Sequence, residues 1–402
     1  MKKILRFLTQ RVVLTALLIL IQALLLFGII WKLNNYFIYF YAFSVLLSLL
    51  LTLRIINNKS NPAFKIAWLI PILLFPVLGG LVYLVFGSDR TGKYIRNKMG
   101  RIEKEMQDGI SKANERSGIE KMPPDVVNQS HYISNSAHCP PYKNTTVEYL
   151  PMGEVKFERM VQELKKAKRY IFMEYFIIQE GTMWNTILDV LEEKAKEGVD
   201  VRVIYDDMGC ILTLPTGYEK TLREKGIQCQ IFNPFIPILS SHFNTRDHRK
   251  ICVIDGNVGF TGGINLADEY INGYEKHGHW KDTAILLKGE AVFSLTTMFL
   301  SMWDYLIKKE GEDYAAYYPD SWDENAQGIV QPFADNPLDD EAVGETVYLN
   351  LINKAKRYVY ITTPYLILSN EMVTAMNTAA KSGVDVRIIT PHVPDKWYVH
   401  AV

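Results

Sequence analysis

The sequence predicts an α/β protein in which N-terminal transmembrane helices precede a duplicated α/β sandwich whose second unit is incomplete. Three observations predict it. Two uncharged runs, Val12 to Trp31 and Tyr36 to Leu53, have the length and apolarity of bilayer spans. From Val147 onward, helix and strand periodicities alternate. Two blocks then recur in the same order: Lys166-Ala-Lys-Arg-Tyr170 returns as Lys354-Ala-Lys-Arg-Tyr358, and Gly198-Val-Asp-Val-Arg202 as Gly383-Val-Asp-Val-Arg387, at offsets of 188 and 185 residues.

Residues 1–87 are expected to form the membrane anchor. No small-residue cleavage site follows the first run, so it is retained rather than removed as a signal peptide. Trp31, Tyr36, Phe37, Tyr39, Phe40 and Tyr41 stand where an interfacial aromatic belt would lie. Lys2, Lys3, Arg6 and Arg11 precede the first run, Lys32 alone separates the pair, and Arg54, Lys59 and Lys65 follow, which places both ends of the pair in the cytoplasm. A third apolar stretch, Ala67 to Phe86, is interrupted by Pro71, Pro76 and Gly79-Gly80 and either spans or re-enters. The basic residues beyond it, Arg90 to Arg101, favour re-entry, because a third crossing would carry them outside.

Residues 88–146 read as a polar connector with a charged helical piece at Ile102 to Ala113. The first sandwich unit, 147–340, is expected to run helix Val155–Lys168, strand Tyr170–Ile178, helix Met183–Glu197, strand Val199–Tyr205 and helix Glu219–Lys225. Residues 341–402 begin a second unit. Before the hairpin described next, the apolar loop Ile231 to Leu239 suits either a buried crossover or a dip into lipid headgroups.

Composition narrows the function. The 44 basic and 44 acidic residues cancel, which argues against a groove for a polyanion and hence against a nucleic-acid partner. Cys139, Cys210, Cys229 and Cys252 show no C-x-x-C spacing and no zinc-type histidine partners, so reduced thiols in a cytoplasm-facing domain and no metal are expected. The acidic patch Asp335 to Glu341 reads as a loop between units.

The chemistry is carried by His248-Arg249-Lys250, Asp255, Gly262-Gly263 and Asn265. Lys250 to Asp255 alternates around β-branched residues and runs into Gly256-Asn257, and Val258 to Thr261 returns, which makes a hairpin. His248 and Lys250, two apart, share a face, whereas Asp255 points to the other side. A neutral imidazole can attack phosphorus and form a covalent phosphohistidine. The Lys250 ammonium and the Asn265 amide can hold non-bridging oxygens, and the two glycines leave room for a phosphate. Glu174 is a lone carboxylate within the apolar strand Ile171 to Ile178, where it either lines the site or lies at the strand's exposed end.

This spaced pattern resembles the HKD motif of the phospholipase D superfamily, and Asn244 to Gly256 is similar to the bacterial cardiolipin synthase branch. The resemblance implies that His248 is the nucleophile, that Lys250 and Asn265 bind phosphate, and that an acidic residue some thirty positions downstream, Asp282 by position, orients the imidazole. Catalytic roles are thus expected for His248, Lys250 and Asp255, phosphate binding for Lys250, Asn265, Gly262 and Gly263, and support from Asp282 and Glu174.

It further implies a membrane-bound phosphatidyltransferase of the bacterial cell membrane that makes cardiolipin and glycerol from two molecules of phosphatidylglycerol, without cofactor or metal. Phospholipid hydrolysis to phosphatidic acid, or an inactive lipid-binding module, are the alternatives. In the family two units each bring one motif to a shared cleft. Applying the shorter offset to His248 gives position 433, beyond Val402, and neither His392 nor His400 is followed by the motif. The chain is therefore expected to be a piece of a longer protein, or a short form that shares motifs within a homo-oligomer.

Overall fold

The computed structural model describes residues 11–32, 37–58, 62–87, 93–113, 118–235, 245–309, 312–336, 338 and 341–396. The chain divides into two units, residues 1–93 with 233–246, and residues 94–232 with 247–402. Residues 236–239 of the apolar loop, and Lys2, Lys3, Arg6, Arg90 and His400, lie outside the described residues.

In the first unit the two uncharged runs become α1 (Arg11–Lys32) and α2 (Phe37–Asn57), leucine-rich stretches free of proline. The third run is not one crossing helix. It divides into α3 (Pro62–Leu74) and α4 (Pro76–Phe86), because Pro76 lacks an amide hydrogen and its ring drives Phe75 out of the helical region, to φ −130° and ψ 73°. The pair folds back on itself. The Trp68 and Tyr83 rings stand 5.3 Å apart, and a Cβ on Gly79 would meet the Pro71 carbonyl oxygen at 2.2 Å, so only glycine permits the approach. Ser48 of α2 donates to the Pro76 carbonyl at 2.9 Å, tying the bend down. With 13 and 11 residues, each rises roughly 16–20 Å, short of a hydrocarbon core of about 30 Å. Among the described residues no helix is long and apolar enough to cross a membrane. In α1 the side chains of residues 11–16, 18, 19, 26, 29 and 30 fall outside the described set.

The second unit begins with α5 (Lys93–Ala113) and α6 (Pro124–Ser136). This stretch, expected as a connector, packs into a core. Met99, Met106 and Ile110 recur at helical spacing on one side of α5 and are buried with Ile133 and Tyr142. There follow β1 (Thr145–Leu150), α7 (Gly153–Leu164), β2 (Tyr170–Tyr175), α8 (Thr182–Lys196), β3 (Asp200–Asp206), α9 (Asp207–Cys210), α10 (Tyr218–Glu224) and β4 (Gln228–Phe232). The hairpin β5 (Lys250–Ile254) and β6 (Val258–Gly262) precedes β7 (Ala284–Gly289) and α11 (Val292–Ile307). The seven strands form one mixed sheet in the order β1-β7-β6-β5-β2-β3-β4, with β2, β3 and β4 parallel and the remaining pairs antiparallel.

Strand alternation sorts the side chains into two cores. Met173 and Tyr175 of β2, Val203 of β3, and Cys252 and Ile254 of β5 pack with α7, α8 and α10. Phe172, Ile204, Ile251 and Val253 pack on the other face with α11, which is buried almost all round as its unbroken apolar sequence requires.

The repeat is structural as well as sequential. After α12 (Val343–Lys354), β8 (Tyr358–Thr362), α13 (Asn370–Lys381) and β9 (Asp385–Ile389) follow, and β8 pairs with β9 in parallel. Tyr358 lies opposite Asp385 as Tyr170 lies opposite Asp200, and Arg387 pairs with Asp385 at 2.9 Å as Arg202 pairs with Asp200 at 2.6 Å. Burial differs between the copies: β2, flanked by β3 and β5, is buried throughout, while β8, paired with β9, is not.

Candidate active site

The motif sits on β5 and the three residues before it. Lys250 pairs opposite Tyr175 at the end of β2, so the reactive pair stands at the strand's entry. His248 and Lys250 share the α7 face, and the Phe176 ring packs beside both, 4.7 Å from the imidazole and 5.4 Å from the ammonium. Lys250 is 4% exposed and donates to the His248 carbonyl at 2.5 Å. Burial pushes its pKa down to about 8, against the pull of Asp247, Asp282 and Asp206. Burial, reinforced by the Lys250 charge, pushes the His248 imidazole down to about 4. At neutral pH the site therefore presents an uncharged imidazole beside an ammonium.

The structure places the other expected residues differently. The Asp255 carboxylate lies at the far end of β5 and accepts the amides of Lys168, Arg169 and Tyr170 at 2.9, 2.7 and 3.0 Å. It braces the start of β2, and four residues of β5, Ile251 to Ile254, separate it from Lys250. Asp255 and Gly256 both take positive φ, 53° and 73°, so the tight turn falls on that dipeptide. Asn265 is 2% exposed; its Oδ1 accepts the Ile177 amide at 3.0 Å and its Nδ2 donates to the Tyr270 hydroxyl at 2.8 Å. One Nδ2 hydrogen is left for an anion.

The glycines make room for protein before any phosphate. A Cβ on Gly262 would meet the Thr283 carbonyl oxygen at 2.4 Å, and one on Gly263 would meet the Asp282 carboxylate at 2.2 Å. Asp282 accepts the Thr283 amide at 2.7 Å, and burial raises its pKa. No hydrogen bond from it to His248 is present among the described residues. The carboxylate instead lies in the field of Lys156 and Lys250.

Glu174 is neither at an exposed end nor on the His248 face. It is 1% exposed, on the α11 face, with its Oε1 2.5 Å from Nη2 of Arg249 in an ion-pair approach without hydrogen-bond alignment. Arg249 also reaches Asp247 through Nε at 3.0 Å, and its amide donates to the same carboxylate at 3.2 Å. One guanidinium thus faces two buried carboxyls. Burial raises Glu174 well above the usual carboxylate range, against the pull of the Arg249 charge. Burial, the largest single influence, works the same way on Asp247, but the Arg249 charge together with hydrogen bonding to Arg249 and Glu174 outweighs it and holds Asp247 below the usual range. The signal for this pairing was present in the alternation: Arg249, between His248 and Lys250, has to face the opposite side, and a carboxylate inside a buried strand requires a cation.

Among the described residues no group of histidine, cysteine and acidic side chains is placed to hold a metal ion. All four cysteines are free and buried. Cys210 accepts the Ile178 amide through Sγ at 3.2 Å.

The chain is similar to known proteins. A family profile described as "Cardiolipin synthase, PLD-like domain" matches residues 160–303 and 348–401, and one described as "Phospholipase_D-nuclease N-terminal" matches residues 46–88. A cardiolipin synthase of Geobacillus thermodenitrificans is 36% identical over 366 residues, which cover 89% of this chain and 72% of that protein. An uncharacterised protein of Streptococcus mutans is 46% identical over 349 residues, 86% of this chain and 75% of its own length. The solved phosphatidylserine synthase of Haemophilus influenzae is 14% identical, with a TM-score of 0.45 over 65% of this chain and 66% of that one, too slight a likeness to transfer residue roles.

Proposed function

Because the chain belongs to the cardiolipin synthase family of phospholipase D-like enzymes, we propose that it is a membrane-bound phosphatidyltransferase that makes cardiolipin and glycerol from two molecules of phosphatidylglycerol through a phosphohistidine at His248. The observation that carries the reading is the neutral His248 imidazole held beside the Lys250 ammonium on one face of β5. In the first step an imidazole nitrogen attacks phosphorus, the bond to the terminal glycerol breaks, and glycerol leaves with a proton from a general acid. In the second, the free hydroxyl of another phosphatidylglycerol attacks the phosphohistidine, the P–N bond breaks, and the hydroxyl proton passes to the base. Lys250 and the Asn265 amide hold the non-bridging oxygens in both steps. Of the two H-x-K tripeptides, His248–Lys250 and His279–Lys281, only the first carries the full spaced pattern; in this reading the general acid is a second histidine outside that motif.

A lipid surface is the setting this chemistry needs, since both substrates reside in bilayers. Supporting it are the uncharged run Val12 to Trp31 in α1 and the outward leucines of the first unit. Leu24, Leu25, Leu46, Leu53, Leu73 and Leu74 are each more than half exposed, an apolar area that water disfavours. The folded-back α3–α4 pair fits a re-entrant segment, with the sandwich on the cytoplasmic side.

The test is product analysis by mass spectrometry on detergent-solubilised protein given phosphatidylglycerol, with His248→Ala beside it. Cardiolipin with glycerol, lost in the variant, is the expected result. Phosphatidic acid alone identifies a hydrolase, and product from His248→Ala refutes the phosphohistidine route.

A further inference from the structure

Lys156, on α7, is 0% exposed and has no carboxylate in hydrogen-bond contact among the described residues. Its Nζ donates to the Ile264 carbonyl at 2.8 Å, directly behind the Gly262-Gly263-Ile264-Asn265 turn, and stands 4.8 Å from the Tyr175 ring centroid. Tyr175 is itself buried, with a hydroxyl that has no hydrogen-bond partner. The titratable groups around the amine come from every neighbouring element: Tyr175 from β2, Cys252 and Lys250 from β5, and Asp282 from the segment before β7. An ammonium here has little to neutralise it. Asp282 is already in the field of Lys250, and Cys252 is a buried thiol pushed up to about 12.

We propose that Lys156 is a positioning residue of the phosphate site, an amine beneath the Gly262–Asn265 turn that takes up a proton when a phosphodiester anion binds above it, and so links substrate affinity to pH. The inference rests on the reading of this turn and Lys250 as the phosphate site. Burial, the largest influence, pushes the amine down to about 7, so the unliganded protein holds it part protonated at neutral pH. An anion at Lys250 and Asn265 is an opposite charge in a water-poor setting and raises that value. A rise of one unit on binding corresponds to about a tenfold gain in affinity at pH values where the free amine is already charged, relative to those where it stays uncharged in both states. By linkage the gain is complete below the unliganded value and shrinks as pH rises through the liganded one. The hydrogen bond to Ile264 carries the effect to the turn, because the charged amine donates more strongly than the neutral one.

The test uses sulfate, a tetrahedral anion that does not titrate near neutrality, bound to the whole chain and followed by calorimetry from pH 6 to 8.5 in buffers of different ionisation enthalpy. Lys156→Gln removes the charge and keeps a donor for Ile264, while Lys156→Met removes both; burial, Asp247, Asp282 and Asp206, the main influences on Lys250, are the same in all three proteins. The expected result is that wild-type affinity falls about tenfold more across this range than that of Lys156→Gln, with additional proton uptake in the wild type alone. Equal pH slopes in wild type and Lys156→Gln would overturn the proposal and leave Lys156 as a structural donor, and so would absence of sulfate binding to the wild type. Should the variants not fold, proton uptake by the wild type at pH 7.5 that exceeds what Lys250 alone supplies supports the linkage, and uptake no greater than that overturns it. Failure of the cardiolipin reading appears separately in the lipid products, since linked sulfate binding does not depend on which acceptor the enzyme uses.

Discussion

Replacing Arg249 by methionine keeps much of the side-chain volume and deletes the one positive charge between Glu174 and Asp247. Those carboxyls are 1% and 3% exposed, so neither can recruit water in its place. Burial already raises Glu174 while Arg249 helps to hold Asp247 low, so the cost falls mainly on Asp247. Stranding one partner of a buried pair costs about 3–5 kcal/mol, and with a single carboxylate stranded the lower end, about 3 kcal/mol, applies at pH 7. The pH dependence gives the sharper check. In the wild type the depressed Asp247 contributes stability that is fully present above its unfolded pKa and is lost as pH falls through its lowered folded value, so Asp247 adds no slope between pH 7 and 5; Glu174, raised by burial in both proteins, slopes alike in both and cancels from the gap. In the variant Asp247 has to be protonated to stay buried, its folded value rises above the unfolded one, and stability returns at about 1.4 kcal/mol per pH unit on acidification. The gap between the two proteins narrows to under about 1 kcal/mol by pH 5. Urea unfolding in detergent, read through tryptophan fluorescence, measures it, since Trp184 and Trp303 are both buried in the same unit. A gap below about 1 kcal/mol at pH 7, or one that fails to narrow by pH 5, refutes the assignment of charges.

Two further outcomes follow from the same geometry. Asp255→Ala removes an acceptor from three backbone amides and lowers stability by about 2–3 kcal/mol, visible as a fall in Tm, while the folded fraction keeps its rate of lipid product formation; a loss of rate at unchanged Tm would restore Asp255 to the chemistry. The pH profile of kcat/KM rises through about 4 as His248 loses its proton and falls through about 8 as Lys250 loses its own. Lys250→Met removes the alkaline limb set by Lys250.

What could be read in advance was local. The hairpin β5–β6 declares itself through β-branched alternation running into Gly256-Asn257, both properties of neighbouring residues, although the turn falls one position earlier, on Asp255-Gly256. The repeat was legible because its two blocks sit at the same places, a helix end feeding β2 or β8 and the start of β3 or β9, where register is decided. The hidden parts depended on residues far apart in sequence. Asp255 turned out to serve amides 85 to 87 positions earlier, and Asn265 to hold the Ile177 amide 88 positions away. Nothing in a one-dimensional pattern distinguishes an asparagine that grips a phosphate from one that also grips a backbone. The break at Pro76 was visible as a proline, but the fold-back became evident only through Gly79 against Pro71 and Trp68 against Tyr83.

The position of Arg249 explains how the proposed nucleophile is held, with no carboxylate hydrogen-bonded to its imidazole among the described residues. His248 lies just outside β5, where the sheet no longer fixes its backbone, and the residues on either side of it supply the constraint. The Asp247 amide donates to Asp206 at the end of β3, and the Arg249 amide and guanidinium both close onto the Asp247 carboxylate. Alternation sends this buried charge cluster to the α11 face and leaves the intervening imidazole on the other, against Phe176. The two faces of one short segment thereby divide the work: one fixes the backbone with charges that cannot reach water, and the other presents an uncharged nitrogen beside an ammonium. Loosening the first should disturb the second without touching it. In any Arg249 variant that still folds, the reaction rate should therefore fall while the His248 limb of the pH profile stays close to its original position, since burial and Lys250, the two largest influences on it, are unchanged and only the smaller pull of Asp247 is altered.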